Sequence, residues 1–186
     1  MRKLKLQVQM TLDGFVAGPN GELDWMVPED DGAVSEKISD PADSCDIILL
    51  GRKMTPDFIN HWENVLDNQP ESPEHPLAQR MVGMRKIVFS RTQTTMKGRN
   101  LEVENGDLAS TVQRLKKEQP KDIIVYGGAT FVRSLIDLNL VDEYYIFTNP
   151  VAIGNGLSIF KEKKPLKLIS STSLKNGTVY NKYLPT

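Results

Sequence analysis

One stretch of the sequence decides the fold: Asp122-Ile-Ile-Val-Tyr-Gly-Gly-Ala-Thr-Phe131. The β-branched residues at 123–125 predict a buried strand, and the apolar positions within 130–138 predict a helix directly after the two glycines. Glycine lets the backbone approach a ligand closely, and a helix N-terminus offers free N–H groups and a partial positive charge. The stretch therefore indicates either a diphosphate-binding turn at Gly127 and Gly128 or a plain tight turn.

Strands and helices alternate on both sides of this stretch. Leu4 to Met10 alternates apolar and polar residues and predicts a first strand. Further strands are predicted at 46–50, 86–90 and 143–149, with helices at about 30–39, at 52–62 and from Asp107 onward. Residues 64–76 contain three prolines and predict a surface loop.

The C-terminal segment predicts a β-hairpin. Residues 166–174 and 178–184 flank Asn176-Gly177, which is a favoured two-residue turn. Strands separated by helices favour a parallel sheet. We expect a three-layer α/β/α fold with a mostly parallel central sheet and an antiparallel C-terminal hairpin, formed as a single domain over residues 1–186.

Composition excludes several classes of function. A net charge of −1 offers no broad basic surface for nucleic acid or an anionic membrane. No apolar stretch approaches the 18 residues of a membrane span. The single cysteine, Cys45, precludes an intrachain disulfide and favours a reducing, cytoplasmic location. The cysteine and two histidines show no zinc spacing, so we expect no metal.

The order of four motifs resembles a known superfamily. The motifs are Thr11–Ala17 with Leu23–Trp25, Leu50–Lys53, Val88–Thr92, and Val125–Phe131 with Leu140–Glu143. Together they resemble the dihydrofolate-reductase-like superfamily, and most closely the RibD C-terminal (riboflavin biosynthesis reductase) domain family. The resemblance implies NADPH lying across the strand ends.

Two cationic groups follow predicted strands. Arg52 and Lys53 come after Gly51, and Ser90 and Arg91 end the next strand. Ligands of parallel α/β folds bind at the carboxyl ends of strands, and arginine forms a bidentate fork for phosphate. We expect these residues to hold the 2′-phosphate of NADPH; the alternative is ordinary solvated surface charge.

The resemblance assigns the remaining cofactor contacts. It implies that the backbone of Ala17 holds the nicotinamide carboxamide. It also implies that the diphosphate lies on the glycine turn and the helix start, at Gly127, Gly128, Ala129, Thr130 and Phe131. Met54 departs from the pattern, because relatives usually carry threonine at this point.

The loop at 11–25 has the composition of a lid, with glycines as hinges and apolar residues as cover. By resemblance, Leu23 lies over the reacting centre, and Val8 and Met10 line the floor of the substrate pocket. Trp25 either belongs to this cover or is plain core.

Two further aromatic residues, Phe58 and Trp62, either border the substrate pocket or pack in the core. A proton donor is also expected, since reduction of a C=N bond needs a proton at nitrogen. Asp30 lies at the spacing from Trp25 at which folate reductases place a carboxylate. The alternative is that Asp30 and its acidic neighbours form a solvated helix start.

The sequence favours an NADPH-dependent reductase of a flat heterocycle, of the 5-amino-6-(5-phosphoribosylamino)uracil or pterin type. Dihydrofolate reduction and an NADPH-binding module without turnover are the alternatives. Relatives carry a lysine near Gln7 and a glutamate where this chain has Tyr126, so the substrate stays open. The apolar residues of the terminal hairpin lead us to expect a homodimer; the alternative is that the hairpin packs wholly on its own domain.

Overall fold

Eight strands form one sheet in a computed structural model that describes residues 1–28, 33–118 and 121–186. The strands are β1 (Leu4–Thr11), β2 (Cys45–Gly51), β3 (Arg85–Phe89), β4 (Leu101–Glu104), β5 (Asp122–Val125), β6 (Glu143–Asn149), β7 (Leu166–Ser173) and β8 (Val179–Pro185). The helices are α1 (Ala33–Ala42), α2 (Thr55–Asn68), α3 (His75–Gly83), α4 (Leu108–Lys117) and α5 (Ala129–Asp137).

The sheet is mostly parallel. Its spatial order is β4-β3-β2-β5-β1-β6-β8-β7, with β1 between β5 and β6. Neighbouring strands from β4 to β6 pair in parallel, and β8 pairs antiparallel with both β6 and β7. The carboxyl ends of β1 to β6 therefore lie along one edge of the sheet.

Alternating side chains of the central strands build two cores. One core contains Leu4 and Leu6 of β1 with buried residues of α4 and α5, such as Val112 and Leu135. The other joins Ile48, Leu50 and Ile124 to Phe58 of α2 and Met81 of α3. These two layers of helices on opposite faces confirm the predicted three-layer fold with its antiparallel C-terminal hairpin.

Three local predictions were wrong. The predicted loop at 64–76 is mostly helical: α2 continues to Asn68, and α3 begins at His75 with Pro76 in its first turn, where proline is tolerated. The first helix, described as Ala33–Ala42, ends three residues beyond the predicted end at 39. The four-residue strand β4 at the sheet edge was not predicted.

None of the described helices is long and apolar enough to cross a bilayer.

Charged residues at the amino end of the sheet are paired. Glu143 is buried and accepts from Lys3 Nζ at 2.7 Å, and Lys182 Nζ lies 3.3 Å from its second carboxylate oxygen. Further pairs at this end are Arg2–Asp46, Lys5–Asp122 at 3.1 Å and Lys116–Asp142 at 2.6 Å. A buried charge needs such a partner or several hydrogen bonds, as at Lys86, whose Nζ donates to the carbonyl oxygens of Met81, Val82 and Met84.

Candidate active site

A cleft of about 1630 Å³ opens along the carboxyl end of the sheet. It is lined by residues that follow β2, β3 and β5, by the middle of β1, and by the loop after it.

The glycine turn and the start of α5 form one wall. Gly128 has a φ of +82° and is the N-cap residue of α5, with no side chain capping the helix. The first N–H groups of a helix have no partner within it. By contrast, the Asp107 side chain caps α4 by accepting from Ser110 N. The α5 N-terminus therefore presents uncapped donors beside the cleft, at Gly127, Gly128, Ala129, Thr130 and Phe131, which all line it.

The predicted cations lie on the cleft beside this wall. Arg52, Lys53 and Arg91 line the cleft and are exposed. None of the three makes a hydrogen bond or ion pair with another residue in the described ranges 1–28, 33–118 and 121–186. Their positive charge is therefore uncompensated by these neighbours, unlike the charge at the opposite end of the sheet.

Ser90 is buried at the end of β3. Its Oγ accepts hydrogen bonds from the backbone N–H groups of Thr92, at 3.3 Å, and Gln93, at 2.9 Å. The hydroxyl thus shapes the turn after β3. Its own hydrogen remains available to donate into the cleft.

The loop after β1 is only partly the lid that its composition predicts. Asp13 accepts from the backbone N–H groups of Ile153 and Gly154, at 3.1 and 2.7 Å. Ala17 is buried and forms an isolated antiparallel β-bridge with Leu157. The backbone packs so closely here that a Cβ atom on Gly156 would collide with the Ala17 carbonyl oxygen. These contacts fix the first half of the loop, where Ala17 lines the cleft.

The second half of the loop is more open. Leu23 is 52% exposed and lines the cleft. Trp25 is buried, donates from its indole N–H to the Glu22 carbonyl at 3.1 Å, and does not line the cleft. The core alternative therefore describes Trp25, whereas Leu23 lies on the cleft together with Met26 and Val27.

The predicted floor residues separate in the same way. Val8 lines the cleft, whereas Met10 lies in the core with α4 and α5 and is absent from the cleft wall. Phe58 and Trp62 both line the cleft. Their rings meet edge to face at 6.2 Å, and Phe58 also stacks on Tyr126 at 6.2 Å.

Several cleft residues were not predicted. Gln7, Gln9 and Asn149 line the cleft on the β1 and β6 side, and Tyr126 lines it after β5. The sequence did contain a signal for Gln7 and Gln9. A central strand is covered on both faces of its sheet and rarely carries polar side chains, so two glutamines on such a strand point to a functional role. Met54 lies over the glycine turn, with its sulfur 3.3 Å from a Cβ atom placed on Gly127.

The predicted proton donor, Asp30, lies outside the described residues. Of the titratable groups that line the cleft, His61 and Glu74 form a pair in which Nε2 and Oε2 are 3.6 Å apart. Both side chains are nearly half exposed. The pair lies on α2 and the turn before α3.

Comparison with known proteins gives several matches over nearly the whole chain. The chain is 33% identical to the uncharacterized protein YyaP of Bacillus subtilis over 181 residues, covering 96% of this chain and 92% of that protein. It is 25% identical to the riboflavin biosynthesis protein RibD of Corynebacterium ammoniagenes, of which it spans 44%.

Solved structures share the fold at low sequence identity. A riboflavin biosynthesis protein from Shewanella sp. PV-4 superposes with a TM-score of 0.69 at 20% identity, covering all of this chain and 99% of that chain. RibD from Acinetobacter baumannii gives 0.73 at 17% identity, with this chain covering 58% of that chain. The model of the RibD C-terminal domain matches residues 2–180, and the chain therefore belongs to the RibD C-terminal domain family.

Proposed function

We propose that this protein is an NADPH-dependent reductase of a flat heterocycle of the pyrimidine or pterin type. The observation that carries the proposal is the cleft wall on which Arg52, Lys53 and Arg91 stand beside the N-terminus of α5; the three cations have no partner among the described residues. Family membership supports it, since one fold neighbour is a deaminase and 5-amino-6-(5-phosphoribosylamino)uracil reductase from Thermotoga maritima.

The residues on this wall fit the anionic parts of NADPH. A diphosphate suits the glycine turn, because Gly128 has no Cβ and the α5 N–H groups lack a capping acceptor. A 2′-phosphate suits Arg52, Lys53 and Arg91, because all three are exposed and none has a carboxylate partner among the described residues. The Ser90 hydroxyl adds one donor beside Arg91.

The remaining residues hold the reacting groups. When bound, NADPH supplies a hydride to carbon, and the nitrogen of a C=N bond takes up one proton. Val8, Leu23, Phe58 and Trp62 offer apolar surface against which a flat ring packs and water is excluded. We propose Asp30 as the proton donor.

The test separates binding from turnover. Calorimetric titration measures affinity for NADPH and NADH. A spectrophotometric screen then follows NADPH oxidation with dihydrofolate and with 5-amino-6-(5-phosphoribosylamino)uracil. Preferential NADPH binding and oxidation with one of these rings support the proposal. NADPH binding without turnover of any ring would favour the binding module, for which Met54 over Gly127 is the motivating contact.

A further inference from the structure

Two buried polar atoms on the cleft wall have no hydrogen-bond partner. They are Gln7 Oε1 and the Tyr126 hydroxyl, two of four buried side-chain polar atoms without a partner among the described residues. Gln7 is only 4% exposed. A buried polar group without a partner is costly, so each such group in a native protein calls for a physical reason.

The two groups are neighbours on the same face of the sheet. β1 and β5 pair in parallel with Leu6 opposite Val125, and Gln7 and Tyr126 are the next residue on each strand. Because side chains alternate along strands, both lie on the face of Ile124, which packs against α2 and α3. Phe58, stacked on Tyr126, adds an aromatic surface next to them.

Gln9 shows what a structural glutamine looks like in the same strand. Its Oε1 accepts from Asn149 Nδ2 at 2.7 Å, and Asn149 Oδ1 in turn accepts from the backbone N–H of Val27 at 3.1 Å. Gln9 therefore ties β1 to β6 and to the loop before α1. Gln7, two residues earlier on the same face and also on the cleft, makes no such connection.

The charges of the cleft are separated from this spot. The lysine and arginine residues among its described lining are Arg52, Lys53 and Arg91, which all follow β2 or β3. On the β1 and β6 side the described polar lining is neutral, at Gln7, Gln9, Asn149, Asn176 and Thr178. Once NADPH occupies those three, no lysine or arginine of the described wall is left for a substrate phosphate.

We propose that Gln7 and Tyr126 bind the polar edge of the substrate, and that this substrate is an uncharged ring carrying a lactam group and no phosphate. A glutamine amide matches a lactam, because its oxygen accepts from the ring N–H while its NH₂ donates to the ring carbonyl. Burial raises the pKa of the Tyr126 hydroxyl, which stays protonated and able to donate. The inference rests on the proposed reductase function and narrows its substrate.

The experiment compares Gln7→Met and Tyr126→Phe with Gln9→Met as the matched control. Removing an orphaned polar group should leave the ligand-free protein equally or more stable, so the thermal midpoints of Gln7→Met and Tyr126→Phe should not fall. Gln9→Met should lower the midpoint, because it deprives Asn149 of its acceptor. Calorimetry with NADPH should give the same affinity for Gln7→Met and the unmodified protein.

Binding of two probes then decides the inference. The probes are 5,6-diaminouracil, which is neutral, and 5-amino-6-(5-phosphoribosylamino)uracil, titrated with and without NADPH. We expect the neutral ring to bind at least as tightly as its phosphoribosyl derivative, and we expect Gln7→Met to weaken binding of the neutral ring by about tenfold. Tyr126→Phe should weaken it as well.

Three results would overturn the inference: failure of the neutral ring to bind, tighter binding of the phosphoribosyl derivative, or unchanged binding of the neutral ring in both variants. Each of these can occur with normal NADPH affinity, which leaves the reductase proposal intact. Loss of NADPH binding in the unmodified protein would instead count against the reductase proposal. The titrations without NADPH still judge Gln7 and Tyr126 in that case.

Discussion

The two ends of the central sheet use charge in opposite ways. At the amino end, Arg2, Lys5 and Lys116 are buried, and each has a carboxylate partner. At the carboxyl end, Arg52, Lys53 and Arg91 are exposed and have no such partner among the described residues. Arg2, Lys5 and Lys116 are thus neutralised within the protein, whereas the three cations at the carboxyl end have no carboxylate partner among the described residues.

This difference separates residues that hold the fold from residues that hold a ligand. Removing one partner of a buried ion pair destabilises the protein, because the other charge is left buried and uncompensated. Unpaired exposed charges contribute little to folding and remain available to an anion. Substitutions at the amino end should therefore change unfolding, and substitutions at the carboxyl end should change binding.

Glu143→Gln should have the largest effect on stability. Burial alone would raise the pKa of Glu143, but hydrogen bonds from Lys3 and Tyr145 and the charge of Lys182 outweigh it and lower the pKa to about 2. The substitution should cost roughly 2–3 kcal/mol in the free energy of unfolding at pH 7, measured by urea denaturation.

The same carboxylate predicts a pH dependence. Because its folded-state pKa lies below the ordinary 4.5, its contribution is complete above that pH and is lost as the pH falls toward 2. The difference in unfolding free energy between the unmodified protein and Glu143→Gln should shrink over this window. A difference that is constant from pH 6 to pH 3 would contradict the assignment.

Gly128→Val tests the carboxyl end. A branched residue at a φ of +82° should cost about 1–3 kcal/mol of stability, and its side chain should also keep a diphosphate from the backbone. Gly83→Val is the control, since a Cβ atom there meets nothing within 4 Å and no positive φ is involved. A folded Gly128→Val protein with normal NADPH affinity would reduce the glycine pair to a simple turn.

The caps of α4 and α5 provide a smaller test. Asp107→Ala removes the side chain that accepts from Ser110 N and should cost about 1 kcal/mol in the free energy of unfolding. Inorganic pyrophosphate should raise the thermal midpoint through the uncapped α5 and the nearby cations, equally in Asp107→Ala and the unmodified protein. No stabilisation of either protein would count against an anion site at α5.

The β7 edge belongs to neither end of the sheet, and we propose that it mediates a homodimer. Tyr180 of the hairpin packs against Phe147, with ring centres 4.6 Å apart, so part of the predicted apolar surface is internal. Leu168 and Ile169 stay about half exposed on an edge strand, which favours pairing with another chain.

Light scattering at micromolar concentration tests the dimer. We expect the unmodified protein to have twice the chain mass of 20.9 kDa. A Leu168→Lys, Ile169→Lys double variant should have the mass of one chain. Leu12→Lys, at another exposed leucine, should leave the mass unchanged. A monomeric unmodified protein would contradict the dimer.

The sequence predicted the layers and the sheet because local pattern and fold agree at most elements. The 123–125 strand, the glycine turn and the Asn176-Gly177 hairpin are each set by short-range chemistry. The loop predicted at 64–76 failed because proline is acceptable in the first turn of a helix. Strand β4 was missed because four residues at a sheet edge carry little periodicity.

The candidate site was less predictable, since it depends on contacts between distant residues. Motif order placed Arg52, Arg91 and the glycine turn beside one cleft. It did not distinguish Trp25 in the core from Leu23 on the surface. Nor could it show that Gln9 has a partner while Gln7 Oε1 has none among the described residues, because the Gln9 contact depends on Asn149, 140 residues further along the chain.

Calorimetric titration of NADPH and NADH into the unmodified protein and Arg52→Ala tests the central claim most directly. The claim is that the unpaired cations at the carboxyl end bind the 2′-phosphate. NADPH should bind much more tightly than NADH, and Arg52→Ala should lose most of that preference, about 1.5–3 kcal/mol for a charged hydrogen bond, with unchanged thermal stability. Equal affinity of the unmodified protein for NADPH and NADH would contradict the claim.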